Sequence, residues 1–134
     1  MFEQILKDFK IGQAIRANDY STLALAYIGD SVYELYVRTY IMKDLNTHAN
    51  KLHTITVGMV NAKAQAETFR KIEGELTTTE LAVYKRGRNA PSHVPKNAEL
   101  SDYKAATGFE TLIGHLYING DTERLIELLN KCMM

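Results

Sequence analysis

Apolar residues recur along this chain at helical spacing from end to end, and no stretch alternates with the period of two that a half-buried strand requires. The pattern predicts an all-α fold. Phe2, Ile5, Leu6 and Phe9 form a stripe on a first helix, and Asn18-Asp19-Tyr20-Ser21 supplies stop and cap residues before a long second helix from about Thr22 to Met42. Asn46 or Thr47 can cap the next helical region. That region reaches about Lys71, with Leu52, Ile55, Val60, Ala64 and Phe69 as core and a break expected near Gly58; Gly74 ends it. Thr77-Thr78-Thr79-Glu80 has the form of a capping box and opens a short helix to about Arg86, which Gly87 is expected to close. Arg88 to Ala98 holds both prolines, Pro91 and Pro95, and reads as a loop. A further helix starts at Leu100 or Ser101 and reaches about Ile118. Gly120 stops it, Asp121 caps the last helix, and Leu125, Ile126, Leu128 and Leu129 give that helix its buried face.

A chain of 134 residues has the length of one domain, and its 46% hydrophobic content suits a single core spanning residues 1–134. Sixteen basic and sixteen acidic residues cancel, so overall charge points to no polyanionic partner and any nucleic-acid surface must be local. Lys85, Arg86, Arg88 and Lys96 form such a local patch, with no acid between positions 85 and 98 and with Asn89, Ser92 and His93 as added donors. The bland alternative is a solvated loop with incidental charge. Cys132 is the only cysteine, which rules out an intrachain disulfide, fits a reducing cytosol, and leaves a structural thiol or a bystander. Glu3, Lys7, Asp8 and Lys10 break any signal-peptide core, and no uncharged run approaches the about 18 residues of a membrane span, so a cytoplasmic protein is expected. His48, His53, His93 and His115 show no metal-ligand spacing.

Two acids stand alone in uncharged, mostly apolar runs. Asp30 interrupts Leu23-Ala24-Leu25-Ala26-Tyr27-Ile28-Gly29-Asp30-Ser31-Val32, and Glu110 is the only charge in Ala105 through Tyr117. Desolvating an unpaired carboxylate costs several kcal/mol, so such a group must cap a backbone, pair with a cation or hold a metal. Two isolated acids suggest one site. Glu34, one turn after Asp30, either joins that site or pairs with Arg38 at the next turn, and the salt-bridged reading is favoured.

Leu25-Ala26-Tyr27-Ile28-Gly29-Asp30-Ser31-Val32 resembles the first signature of the ribonuclease III endonuclease domain, and Thr107-Gly108-Phe109-Glu110-Thr111-Leu112-Ile113-Gly114-His115-Leu116-Tyr117 resembles the second, in the same order. No appended double-stranded-RNA-binding domain is expected, which is similar to the catalytic-domain-only bacterial subfamily, Mini-ribonuclease III, and Lys85-Arg86-Gly87-Arg88-Asn89-Ala90 resembles the basic loop of that subfamily. The larger enzymes carry further acids at the positions of Leu23, Ala26 and Thr107, so only Asp30 and Glu110 carry over as catalytic and metal-binding residues, a reduced set that the subfamily shares. The resemblance implies a Mg²⁺-dependent endoribonuclease, with Mn²⁺ as a substitute ion. It would cleave double-stranded RNA to 5′-phosphate and 3′-hydroxyl ends, act as a homodimer, and mature large-subunit (23S) ribosomal RNA precursors. Magnesium keeps several waters, so two carboxylates plus a substrate phosphate suffice in principle. The helix from Thr22 is apolar around much of its circumference, which suits either that dimer interface or a central core helix. The competing function is a catalytically silent relative that only binds RNA or ribosomal components.

Overall fold

The computed structural model describes residues 2–11, 16–91 and 93–134 and contains seven α-helices among them: α1 Phe2–Asp8, α2 Thr22–Met42, α3 Ala49–Val60, α4 Ala62–Ile72, α5 Thr78–Asn89, α6 Leu100–Ile118 and α7 Thr122–Cys132. No strand occurs among the described residues. None of these helices is long and apolar enough to cross a membrane.

Helix α6 is the axis of the fold, buried on every side from Ala106 to Ile118 except at Glu110. It is packed by α2, α4, α5 and α7. A stripe one face wide could not satisfy so many neighbours, which is why the segment reads as apolar all round. Four glycines set how closely its partners approach. A Cβ on Gly29 of α2 would lie 1.8 Å from the Glu110 carbonyl oxygen, and one on Gly114 of α6 would lie 1.9 Å from the Leu25 carbonyl oxygen. Backbone therefore meets backbone where α2 crosses α6. The α5–α6 contact repeats the device, with Gly87 against the Thr111 side chain and Gly108 against Tyr84. Tyr33 of α2 meets Phe109 edge to face at 4.9 Å, and Phe69 of α4 sits at 3.8 Å from Tyr84 of α5, closing the aromatic part of the core.

Local signals set the helix ends. Ser21 caps α2 through Ala24 N–H, and the Thr77–Glu80 capping box forms in both directions, at 2.9 and 3.1 Å. Glu80 also receives Arg124 in a two-pronged contact, 2.9 Å at each oxygen, which ties α5 to α7 and lowers the Glu80 carboxyl from its ordinary range. Gly120, at φ 73°, ends α6 in a Schellman turn closed by Asp121 N–H to the Leu116 carbonyl and Gly120 N–H to that of Tyr117.

Several expectations are revised. Gly87 does not close α5: it is buried inside the helix, its missing side chain serves packing against α6, and the helix runs on to Asn89. The break between α3 and α4 falls at Asn61, whose side chain caps α4, while Gly58 stays helical and exposed. His48 caps α3 instead of Asn46 or Thr47. Asp121 precedes α7 but its side chain makes no cap bond. On α1 only Leu6 is buried, and Phe9, expected on this helix, lies just past its end and is 74% exposed. Of the expected α3–α4 core, Phe69 is buried while Leu52, Ile55, Val60 and Ala64 are half-buried; on α7, Ile126 is half-buried as well. Cys132 lies in the core, where burial pushes its thiol up to about 12, so it is structural.

Gly114→Ala should lower stability by about 3 kcal/mol or more, because the α2 backbone must retreat. Gly58→Ala, with open space around its Cβ, should raise stability by about 0.5–1 kcal/mol through helix propensity. Urea unfolding of both variants measures this; equal effects would mean that the close crossing does not constrain the fold.

Candidate active site

Asp30 and Glu110 lie eighty positions apart in sequence but on the two helices that the glycines draw together: Asp30 follows Gly29 on α2, and the Glu110 carbonyl is the atom against which Gly29 packs. Their carboxyls are in hydrogen-bonding contact. Asp30 is exposed and Glu110 half-buried, so the pair sits at the rim of the core with one acid facing solvent. Among the described residues no Lys or Arg forms an ion pair with either. Burial first, and then the neighbouring Asp30 carboxyl, push Glu110 up from 4.5 to about 9.

Gln65 of α4 completes the surroundings. It is buried, in contact with Glu110, and partly opposes the upward shift. Its amide nitrogen donates to the Val60 carbonyl at 3.0 Å, while its Oε1 is buried without a partner. Nothing in the sequence analysis singled out Gln65. The available signal was its spacing from Phe69 and Ile72, which places a lone polar side chain on the buried face of α4. An oxygen-only set of two adjacent, uncompensated carboxylates and an orphaned amide oxygen fits a hard divalent cation that keeps most of its waters. No group of three or more acids, histidines or cysteines that could hold a metal occurs among the described residues, so the protein offers two carboxylates and no third.

The positions where larger enzymes carry acids add nothing to this set. Leu23 is exposed, Ala26 is buried, and Thr107 is buried with its hydroxyl donating to the Tyr103 carbonyl at 3.0 Å. Glu34 pairs with Arg38 on the surface of α2 at 2.5 Å and is not part of the pair.

The basic segment is arranged differently from the expected loop. Lys85, Arg86, Arg88 and Asn89 belong to the last turns of α5, because Gly87 continues the helix; only His93 and Lys96 lie in the irregular stretch after it, both exposed. Ser92 lies outside the described residues. Lys85 is exposed, and Arg88 lies over the Tyr84 ring at 5.7 Å with its Nε donating to Asn89 at 3.2 Å. Arg86 turns away toward the start of α2, where it lines a cleft.

The ribonuclease III domain family matches residues 23–121. A Mini-ribonuclease 3 from Clostridium tetani is 50% identical over 109 residues, covering 80% of this chain and 72% of that protein. The corresponding protein of Enterococcus faecalis is 48% identical, covering 83% and 86%, and that of Streptococcus pneumoniae is 40% identical, covering 89% and 95%. A crystal structure of a Fusobacterium nucleatum protein superposes with a TM-score of 0.75 at 31% identity, covering 84% of this chain and 90% of the other.

With Glu110 raised to about 9 against 4.5 when unfolded, the metal-free folded state binds the extra proton, so its contribution to stability is full below about pH 4.5 and is lost as pH rises toward about 9. The melting temperature in a chelator should therefore fall between pH 6 and 9 more steeply in wild type than in Glu110→Gln. Parallel curves would show that the two carboxyls do not interact as described.

Proposed function

Because this chain belongs to the ribonuclease III family and is an endoribonuclease of its Mini-ribonuclease III branch, we propose that it hydrolyses both strands of double-stranded RNA with Asp30 and Glu110 holding the required divalent ion. The observation that carries the reading is the carboxylate pair itself: two acids in contact, with no Lys or Arg among the described residues to balance them. Mg²⁺, or Mn²⁺ in its place, would supply a water activated near neutral pH and charge neutralisation at the scissile phosphate. The protein's part is to hold the ligands. Gly29 and Gly114 fix the spacing of α2 and α6, Gln65 lies beside Glu110, and the exposed side of Asp30 leaves room for solvent and a phosphate. Attack on the phosphorus with departure of the 3′-oxygen leaves 5′-phosphate and 3′-hydroxyl ends.

Lys85, Arg88 and Asn89 at the end of α5, with Ser92, His93 and Lys96 beyond, are assigned to the phosphates of the duplex, a shape-based contact suited to A-form RNA. On kinship alone, the reading extends to large-subunit (23S) ribosomal RNA precursors in the cytoplasm, and takes residues 1–134 as one catalytic domain. The contiguous core is consistent with that extent.

Cutting two strands calls for two centres related by a two-fold axis. Support for a homodimer comes from α2, where Leu23, Tyr27, Leu35 and Met42 are exposed apolar residues, with Tyr27 79% exposed. Their spacing gathers them into one stripe about 120° wide, crossed by Ser31 and the Glu34–Arg38 ion pair and with Asp30 at its edge. A second copy seated on this stripe would place the two sites beside the interface.

Asp30→Asn and Glu110→Gln should each lower cleavage of duplex RNA in Mg²⁺ on the order of 10³-fold or more while leaving the circular dichroism spectrum unchanged. Near-wild-type turnover in either variant would remove that residue from the mechanism. Wild type should sediment at twice the chain mass at micromolar concentration, and Tyr27→Glu combined with Leu35→Glu should sediment as a monomer. A wild-type monomer that still cuts both strands would overturn the dimer.

A further inference from the structure

Between the first turn of α2, the flank of α5 and the last turns of α6 lies a cleft of about 640 Å³, the size class of pockets that hold a small organic ligand. Neither Asp30 nor Glu110 lines it. Arg86 does, and it forms no ion pair among the described residues. Thr22 lines it too, in the first turn of a 21-residue helix whose cap residue, Ser21, occupies only the Ala24 amide. The Thr22 and Leu23 amides are left at the positive end of the helix dipole. Thr79 adds a hydroxyl from α5.

Behind the wall lies a buried donor with nothing to receive its hydrogen. Asn119 Oδ1 accepts from Ala17 N–H at 2.9 Å, so its amide nitrogen is the atom that faces His115 Nε2 at 3.2 Å. Nε2 must then accept, and Nδ1 carries the hydrogen. His115 is 8% exposed, lines the cleft, and its Nδ1 has no partner. Burial and the nearby Arg86 guanidinium hold the ring below its ordinary range, which keeps it neutral at pH 7. Of the two carboxylates that face the ring, Glu80 is taken by Arg124, and neither Glu80 nor Asp121 lines the cleft. Positive charge, free amides and hydroxyls thus converge where no protein anion answers them. Tyr20 and Asn18 lie on the same wall, an aromatic face beside an amide.

We propose that this cleft binds a nucleoside 5′-monophosphate group, either as a free nucleotide or as the 5′-phosphorylated end of an RNA strand. Arg86 and the α2 amides take the phosphate, Tyr20 stacks on the base, and Asn18 reads its edge. A cleft of this volume admits one nucleotide and excludes a duplex, which is left to the exposed cations of the α5 terminus. The assignment does not depend on how the carboxylate pair works.

Binding to Asp30→Asn protein in a chelator, followed by calorimetry, separates the cleft from the cleavage site. Adenosine 5′-monophosphate should bind at least about ten-fold more tightly than adenosine, since a charge-assisted phosphate contact distinguishes them. Arg86→Gln should weaken it by about the same factor. Tyr20→Ala should weaken the nucleotide but not inorganic phosphate. Thr79→Glu, an acid welcome in the first turn of α5, should abolish binding while keeping the fold, and serves if Arg86→Gln is unstable. A short single-stranded RNA competing with the nucleotide only when 5′-phosphorylated identifies a strand end as the ligand; failure of both RNAs to compete identifies the free nucleotide. Equal affinity for adenosine and its monophosphate, or unchanged binding in both Arg86→Gln and Thr79→Glu, overturns the proposal.

Discussion

The crossing of α2 and α6 at backbone contact distance is the constraint on which the rest depends. Gly29 and Gly114 each face a carbonyl oxygen of the opposite helix with no room for a methyl group. Two ordinary helices keep axes 8–10 Å apart according to the side chains between them, and at this crossing two facing positions carry none. Close approach has a chemical result. It brings the residue after Gly29 and the residue four before Gly114 to one place, so Asp30 and Glu110 touch although each belongs to a run of apolar residues that buries its helix. Gly29, next to one acid, and Gly114, one turn after the other, are the packing device, and the acids are carried into contact by it.

That contact explains the electrostatics. A half-buried carboxyl beside another, with no guanidinium or ammonium paired to it among the described residues, holds a proton far above its ordinary range. Left alone, such a pair is a cost to the fold. It persists here where a hard cation would turn the cost into affinity, and the orphaned oxygen of Gln65 belongs to the same imbalance. Two other partly or fully buried acids are answered by cations: Glu80 is taken by Arg124 and Glu34 by Arg38.

The second glycine-mediated contact sorts the basic residues. Because Gly87 is packed against Thr111, α5 continues through the basic segment and directs its cations by helical phase instead of scattering them along a loop. Arg86 is turned toward the start of α2, and Lys85 and Arg88 are not. A patch that is uniform in sequence therefore becomes two surfaces, one lining a cleft and one open to solvent.

The sequence by itself determined the helical class, the extent of α2 and α6, the capping box before α5, the stop at Gly120 and the two isolated acids that the fold brings together. These depend on local spacing and cap chemistry, or on the expense of isolated charges, all of which are written in neighbouring residues. Local rules misread Gly87 as a stop, because a glycine that ends a helix and one that lets another helix in look the same until the second helix is present. Gln65 and the split of the basic patch were hidden for the same reason, since each depends on which face of one helix meets another. Only tertiary structure decided them: contacts between distant segments are set by packing geometry, which no single stretch of sequence contains.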